Sequence, residues 1–420
     1  MARTLVVTVA DAFAGTVTQR PNGNFRFDYN SDYAADQNSI PLSFSMPPTK
    51  RAHGTRAISN WMWGMLPDNE VTLNRWAQRH QVSARNPFAL LAAMGEDCPG
   101  AVQLAPPGFD FSGRGSVQWI SAKNLEERVH ALLQDPGAGR LSNDTGQFSL
   151  AGAQSKTALY RAEKRWGVPR GRTPTTHIIK PEGPRFAGLA TNEHFCLELA
   201  RAAGLPSVRT EVQKFDGVSA IIVERFDRYR DKRDSLVKRI HQEDCCQALG
   251  VHPNTKYQSE GGPGLPEIMH LLRSTKSPEV DRDRFMRAQV FNFLIGGTDA
   301  HAKNYSIIYE PGGAFRLTPL YDVISFLPYQ QRRSQLKLAM TIGGRREVDE
   351  IRLRHWERAA ERCRYSAERL VAHVREMTAS LPDLAATVRI ACRKSGLRNP
   401  ILDQLIDQIA DNAVRIAKRN

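Results

Sequence analysis

Cysteine is scarce in this chain and badly spaced for metal. The six are Cys98, Cys196, Cys245, Cys246, Cys363 and Cys392; none has C-x-x-C spacing, and adjacent Cys245 and Cys246 would bridge only with strain. That argues against a zinc site and a disulfide framework, and for buried thiols in a reducing cytosol. No run approaches the ~20 apolar residues a membrane span needs. Met1 to Thr16 lacks the long apolar region of a secretion signal, so the expected location is cytoplasmic, with no membrane partner. Internal repeats and low-complexity tracts are also missing. Acidic residues are in deficit: 58 Lys+Arg against 44 Asp+Glu leave a net charge of +14. The excess suits an anionic partner such as nucleic acid, nucleotide or an acidic protein, or else a merely basic surface. No basic tail or aromatic platform decides between these.

What is present is ordinary globular material. Hydrophobic residues at 41% and 420 residues in all are enough for a sizeable core in two to four domains. Residues 3–30 read as strands, with TLVVTVAD and GTVTQR rich in β-formers and FRFDY alternating after the turn Pro21-Asn22-Gly23. Residues 58–95 read as helical. Pro106-Pro107-Gly108, with Gly113 and Gly115, marks a boundary near residue 110. Residues 116–228 mix helix and strand: SVQWI, two strands around Gly152 over Gln147–Tyr160, the strand HIIK closed by Pro181, a helix over 190–203 closed by Gly204, and SAIIVERF. From about residue 229 the pattern is mostly helical, with a helix over Asp281–Ile295 ended by Gly296-Gly297, a short hairpin, and nearly continuous helix over 347–420. The expected fold is α+β, two-lobed and kinase-like. Residues 1–110 form an additional β-rich subdomain, 111–228 a mixed α/β N-lobe and 229–420 a mostly helical C-lobe.

The chemistry concentrates in Thr298-Asp299-Ala300-His301-Ala302-Lys303-Asn304. An Asp followed five residues later by Asn is the spacing of a kinase catalytic loop, where a carboxylate meets the attacking hydroxyl and an amide oxygen meets a metal. A hairpin follows: strand Tyr305–Tyr309, turn Glu310-Pro311-Gly312-Gly313, strand Ala314–Thr318, then Tyr321-Asp322. Paired strands lie about 5 Å apart, so the hairpin should set Asn304 beside Asp322 as oxygen ligands for Mg2+. His301 either buttresses the loop or serves the site. Lys303 either neutralises a transferred phosphate or is a solvated charge. Lys180, ending a lobe strand, either meets ATP phosphates or is an exposed lysine at a strand end, and Glu193 in the next helix either orients it or lies on a surface helix face. Neither G-x-G-x-x-G nor G-x-x-x-x-G-K-[ST] occurs where expected. The candidate phosphate loop is Ala151-Gly152-Ala153-Gln154-Ser155-Lys156, whose small residues let backbone N–H groups approach phosphate.

Together FSLAGAQSKTALY, THIIKP, NEHFCLELARAAGL, VERFDR, HQEDCCQALG, GGTDAHAKNYS and RLTPLYDVIS resemble the HipA-type toxin kinases of bacterial toxin–antitoxin pairs. IPLSFSMP and GMLPDNE extend the resemblance toward the N-terminus. It implies that Ala151, Gly152, Ala153, Gln154, Ser155 and Lys156 face the ATP phosphates with Lys180. Glu224, Arg225 and Phe226 would form the hinge that meets adenine through backbone groups. Asp299 would be the catalytic base, and His301, Ala302, Lys303, Asn304, Tyr321 and Asp322 would complete the nucleotide and metal site. Ser149 matches the serine at which such kinases phosphorylate themselves into inactivity, as added charge there would repel ATP. Ser155 stands where close relatives would carry Glu, adding a second candidate acceptor.

The resemblance further implies a HipB-like helix-turn-helix antitoxin, operator DNA bound in complex with it, and a protein substrate of the aminoacyl-tRNA synthetase class. Glutamyl-tRNA synthetase is the expected case, with stalled translation and dormancy or persistence as the outcome. Two other readings remain at this point: a catalytically silent, kinase-like corepressor bridging antitoxin and operator DNA, and a kinase of small-molecule hydroxyls. ATP turnover separates the first, and fast turnover of a small alcohol the second.

Overall fold

The structure is a computed structural model that describes residues 2–111, 115–139, 144, 147–330 and 332–419. Met1 and Gly113, named above for the N-terminus and the first boundary, lie outside the described residues. The chain folds as a mixture of helix and sheet with a two-lobed, kinase-like arrangement.

The N-terminal sheet has five antiparallel strands in the spatial order Ala52–Gly54, Phe25–Tyr29, Ala12–Gln19, Arg3–Val9, Val102–Ala105. Period-2 alternation puts Phe27 and Tyr29 inside while Arg26 and Asp28 pair outside at 2.7 Å. The sheet closes a core with Leu5, Val7, Val17, Trp61, Met62 and Leu90. The expected helical stretch over 58–95 is broken. Helices run Thr55–Gly64, Glu70–His80 and Pro87–Met94. Pro67 lacks the N–H that a continuous helix needs, and Asn69 caps the next helix, accepting from Val71 N at 2.9 Å. The turn between the first two helices reaches the candidate active site.

The second sheet has six strands, in the order Thr210–Phe215, Val218–Glu224, His177–Pro181, Thr157–Ala162, Arg165–Arg170, Ser116–Ile120. Helix Ala122–Gln134 packs Leu125 and Val129 against Leu159, Val168, Ile179 and Ile222 of this sheet. The expected strand before Gly152 is absent: residues 148–156 hold no strand, and pairing begins at Thr157. The backbone of that loop bonds elsewhere. Ser149 N donates to Asp97 O at 3.0 Å, and Asp68 N donates to Gly152 O at 3.3 Å.

The C-terminal part is helical around Pro278–Ile295, Leu353–Cys363, Ala367–Lys394 and Ile401–Ala417. Helix Leu189–Ala202 joins the same core, with Phe195, Leu197 and Leu199 packed in one cluster with Phe285, Trp356, Leu381 and Ile409. Small sheets interrupt the helical pattern. The anticipated hairpin is Ser306–Tyr309 with Phe315–Leu317, in register Ile307↔Leu317. A third strand, Gln242–Asp244, pairs with its first. All six cysteines are free and buried.

Candidate active site

Helix Pro278–Ile295 stops at Gly296, whose φ of 62° is left-handed. A Cβ there would meet Leu327 at 2.8 Å, and one at Gly297 would meet Asn292 Oδ1 at 2.4 Å. The two glycines therefore turn the chain directly into the loop that carries Asp299 and Asn304. Within the loop, His301 N donates to Asp299 O (2.8 Å) and Asn304 N to His301 O (3.0 Å). Asn304 Nδ2 donates to Asp299 O at 2.9 Å and ties the amide across the loop. Tyr321 OH donates to Lys303 O at 2.8 Å and pins the end of the hairpin to the loop. Asp322 has φ +56°, a strained conformation for a non-glycine residue and one often seen at functional sites. Asp299, Asn304, Tyr321 and Asp322 line one small cavity.

Across the cleft, Lys180 Nζ lies 2.8 Å from Glu193 Oε1 and 2.8 Å from Asp322 Oδ1. Burial opposes its charge, but Asp322 and Glu193 hold its pKa above the ordinary lysine value. Burial likewise works against the Asp322 carboxylate, yet Lys180 brings it down to about 2. Glu193 is raised by burial in spite of Lys180, and its Oε2 has no hydrogen-bond partner.

The loop Ala151–Lys156 curls on itself. Lys156 Nζ donates to Ala151 O at 2.6 Å, passing where a Cβ on Gly152 (φ +103°) would stand 2.5 Å away. Burial, and then the charge of Lys180, lowers the Lys156 pKa to about 8. Gln154 Nε2 reaches Pro181 O at 3.4 Å, and Ala153 O accepts from Asn69 Nδ2 at 3.1 Å. Ser155 is half-buried. Ser149 is fully buried, its hydroxyl donating to Met65 O at 2.7 Å.

At the hinge, Glu224 is exposed and its N–H donates to Arg209 O at 2.9 Å. The Arg225 side chain is spent on structure. It contacts Asp227 (2.8 Å), Thr175 (2.8 Å) and Cys98 O (3.0 Å) in a buried cluster with Asp97, Arg228 and Arg239. Any nucleotide contact by Arg225 is thus left to its backbone. Phe226 stacks on Tyr321 with centroids 5.5 Å apart.

Lys303 is not a solvated charge: it is buried, with Nζ 2.5 Å from Asp68 Oδ1. Asp68 also holds Lys256 at 2.7 Å. Burial opposes the Asp68 charge, but Lys303 and Lys256 bring its pKa to about 2. His301 is buried, packs edge-on against Tyr257 at 4.9 Å, and leaves Nδ1 without a partner. Burial, then Lys256, lowers its pKa to about 4, so the ring is neutral at pH 7. Asp299 itself stands exposed at the cleft mouth. Desolvation by the surrounding protein raises its pKa, against a hydrogen bond from Tyr257. Asp68, Lys256 and Tyr257 escape the sequence reading because their partners lie 235, 188 and 42 residues away, beyond any spacing rule.

Among the described residues no cluster of three His, Cys, Asp or Glu side chains is built to hold a metal. The donors present suit Mg2+, which binds through one or two protein oxygens and takes the rest from phosphate and water. Asn304 and Asp322 would be those two oxygens, and Lys180 Nζ lies 2.8 Å from Asp322 Oδ1.

Residues 148–385 match the family model of the HipA-like C-terminal domain, and residues 5–105 that of the HipA N-terminal domain. The chain is 38% identical over 351 residues to the putative kinase Y4mE of Sinorhizobium fredii, covering 83% of this chain and 82% of that one. It is 30% identical over 341 residues to the serine/threonine-protein kinase toxin HipA of Shewanella oneidensis, covering 76% of each. A solved chain from the Shewanella oneidensis MR-1 complex of HipA, HipB and operator DNA superposes with a TM-score of 0.84 at 25% identity. That match covers 99% of this chain and 97% of the other.

Proposed function

The chain belongs to the HipA family, and we propose that it is an ATP- and Mg2+-dependent protein serine/threonine kinase acting as the toxin of a toxin–antitoxin pair. The observation that carries this reading is the meeting of Asp299, Asn304 and Asp322 on one cavity, with Lys180 ion-paired to Asp322 from the opposite lobe.

In this reading Asp299 accepts the proton of the attacking hydroxyl. Lys180 exchanges Asp322 for ATP phosphate while Glu193 keeps hold of it. Lys156 leaves the Ala151 carbonyl for the same phosphates, and its neighbours Ala151 to Ser155 offer backbone N–H groups. Lys303, steadied by Asp68, adds positive charge near the transferring group. Mg2+, when bound by Asn304 and Asp322, supplies neutralisation of the phosphoryl charge. Glu224 to Phe226 meet the adenine. Residues 1–110 wall the site, 111–228 carry the nucleotide and 229–420 carry the catalytic loop.

The Shewanella complex with HipB and operator DNA supports a helix-turn-helix antitoxin and, through it, operator DNA as partners, and the +14 charge agrees. An aminoacyl-tRNA synthetase, glutamyl-tRNA synthetase first, is the proposed substrate, and its phosphorylation would stall translation and favour persistence. Autophosphorylation at Ser149 would silence the enzyme. A phosphate of charge about −2 has no room where the serine is fully buried against Met65, so the loop would have to leave.

Transfer of labelled γ-phosphate from ATP with Mg2+ tests the reading, with the chain alone and with glutamyl-tRNA synthetase. Asp299→Ala is expected to lower the rate about 10²–10⁴-fold. An unchanged rate would overturn it.

A further inference from the structure

Tyr257 belongs to a segment to which the chemistry above gives no role. Its hydroxyl donates to Asp299 Oδ1 at 2.5 Å. The ring is fixed by His301, edge-on at 84°. The backbone beneath it is tied on both sides. Tyr257 O accepts from Glu260 N (2.9 Å) and Gly262 N (3.0 Å). Gln258 Oε1 accepts from Thr341 N at 2.7 Å, and its side chain fills the space over Gly264, where a Cβ would come within 2.4 Å. On the other side, Lys256 is held by Asp68 at 2.7 Å. The phenol is therefore delivered by a braced turn, which does not behave as a swinging strap.

An aspartate carboxylate rotates freely about its last bond and presents two equivalent oxygens. A base that must take a proton from one hydroxyl works best when one oxygen is committed elsewhere and the other is aimed. Resting on the reading of Asp299 as the base, we propose that Tyr257 is a positioning residue: its phenol holds Oδ1 of Asp299 and so presents Oδ2 to the acceptor hydroxyl at the open mouth of the cleft. Asp299 is exposed, so an acceptor side chain can reach that second oxygen. Tyr257 remains protonated and able to donate, since burial, and then Asp299, raises its pKa well above the ordinary tyrosine value.

The test uses the full chain with Mg2+ and γ-labelled ATP, water and the chain itself serving as acceptors. Tyr257→Phe, Asp299→Asn and the double variant are compared with the parent. Tyr257→Phe is expected to lower kcat about tenfold while KM for ATP stays within about twofold, because the loss is of orientation and not of nucleotide binding. The double variant is expected to be no slower than Asp299→Asn alone, as for two residues acting through one group. An unchanged or raised kcat in Tyr257→Phe, multiplicative losses in the double variant, or phosphate found on Tyr257 itself would each overturn the inference. Should Asp299→Asn keep the parent rate, the reading of Asp299 as the base fails instead, whatever Tyr257 does. A matching melting temperature and ADP affinity for Tyr257→Phe confirm that the variant is folded.

Discussion

Replacing Asp68 by Asn preserves shape and removes the charge that two buried or half-buried lysines share. Asp68 is 14% exposed, Lys303 4% and Lys256 15% in their side chains. The folded-state pKa of about 2 lies below the ordinary 3.8. A downward shift of that size corresponds to about 2 kcal/mol of folding stability. The sign follows from the depressed value: this stability is fully present above pH 4 and is lost as pH falls through about 2. For a chain of this length melting as one unit, about 2 kcal/mol lowers Tm by about 2 °C. The assay is a thermal melt of parent and Asp68→Asn at pH 7, 4 and 3, with hydrogen exchange over residues 151–156. The expected result is a deficit at pH 7 that shrinks toward pH 3, with faster exchange in the loop, because Asp68 N and Asn69 Nδ2 also hold Gly152 and Ala153. An equal Tm at pH 7, or a deficit that does not change with pH, refutes the argument that this carboxylate braces Lys303 and Lys256.

Two further outcomes are expected. Gly152→Ala forces a side chain into φ +103° and against Lys156 Nζ, so KM for ATP should rise about tenfold with little change in Tm, measured by steady-state kinetics. Glu243, buried and raised to about 7 by desolvation first, loses its native-state advantage as pH climbs from about 4.5 through 7. Glu243→Gln should therefore be more stable than the parent at pH 8, by up to about 3 kcal/mol, and no more stable at pH 4, in thermal melts at the two pH values.

The parts of the site legible in the sequence are those set by local spacing. Asp299 and Asn304 share one short loop, so the hydrogen bond between them follows from five residues of chain. Asn304 and Asp322 flank a hairpin whose turn glycines and alternating strands are plain to read. Lys180 and Glu193 are separated by one strand end and one helix start. The misread segment is Phe148–Lys156, where β-forming residues sit in a loop. Propensity there yields to tertiary bonds, with Ser149 donating to Asp97 and Met65 and Gly152 accepting from Asp68. The helix break at Pro67 went unread because the apolar spacing continues on both sides of it.

The same tertiary bonds bear on what the N-terminal region does energetically. Its boundary near residue 110 is a matter of composition, but its energetic integration is carried by charge. Asp97 sits among Arg225, Arg228 and Arg239, and Asp227 accepts from Gly100 N at 2.7 Å. Five ionised side chains of net charge +1 (three arginines against two aspartates), all nearly closed to solvent, thus join the N-terminal region to residues 225–239. Removing one partner from such a cluster leaves uncompensated charge, which costs about 3–5 kcal/mol for a buried pair. The Asp68 turn adds a second join, this one to Lys303 and to Gly152. The segment around Arg225 and the loop around Lys303 each lean on the first hundred residues, which makes that region part of the candidate site's architecture. Cutting it away would unbalance the charges that hold Arg225 and Lys303 before it removed any residue proposed to touch nucleotide.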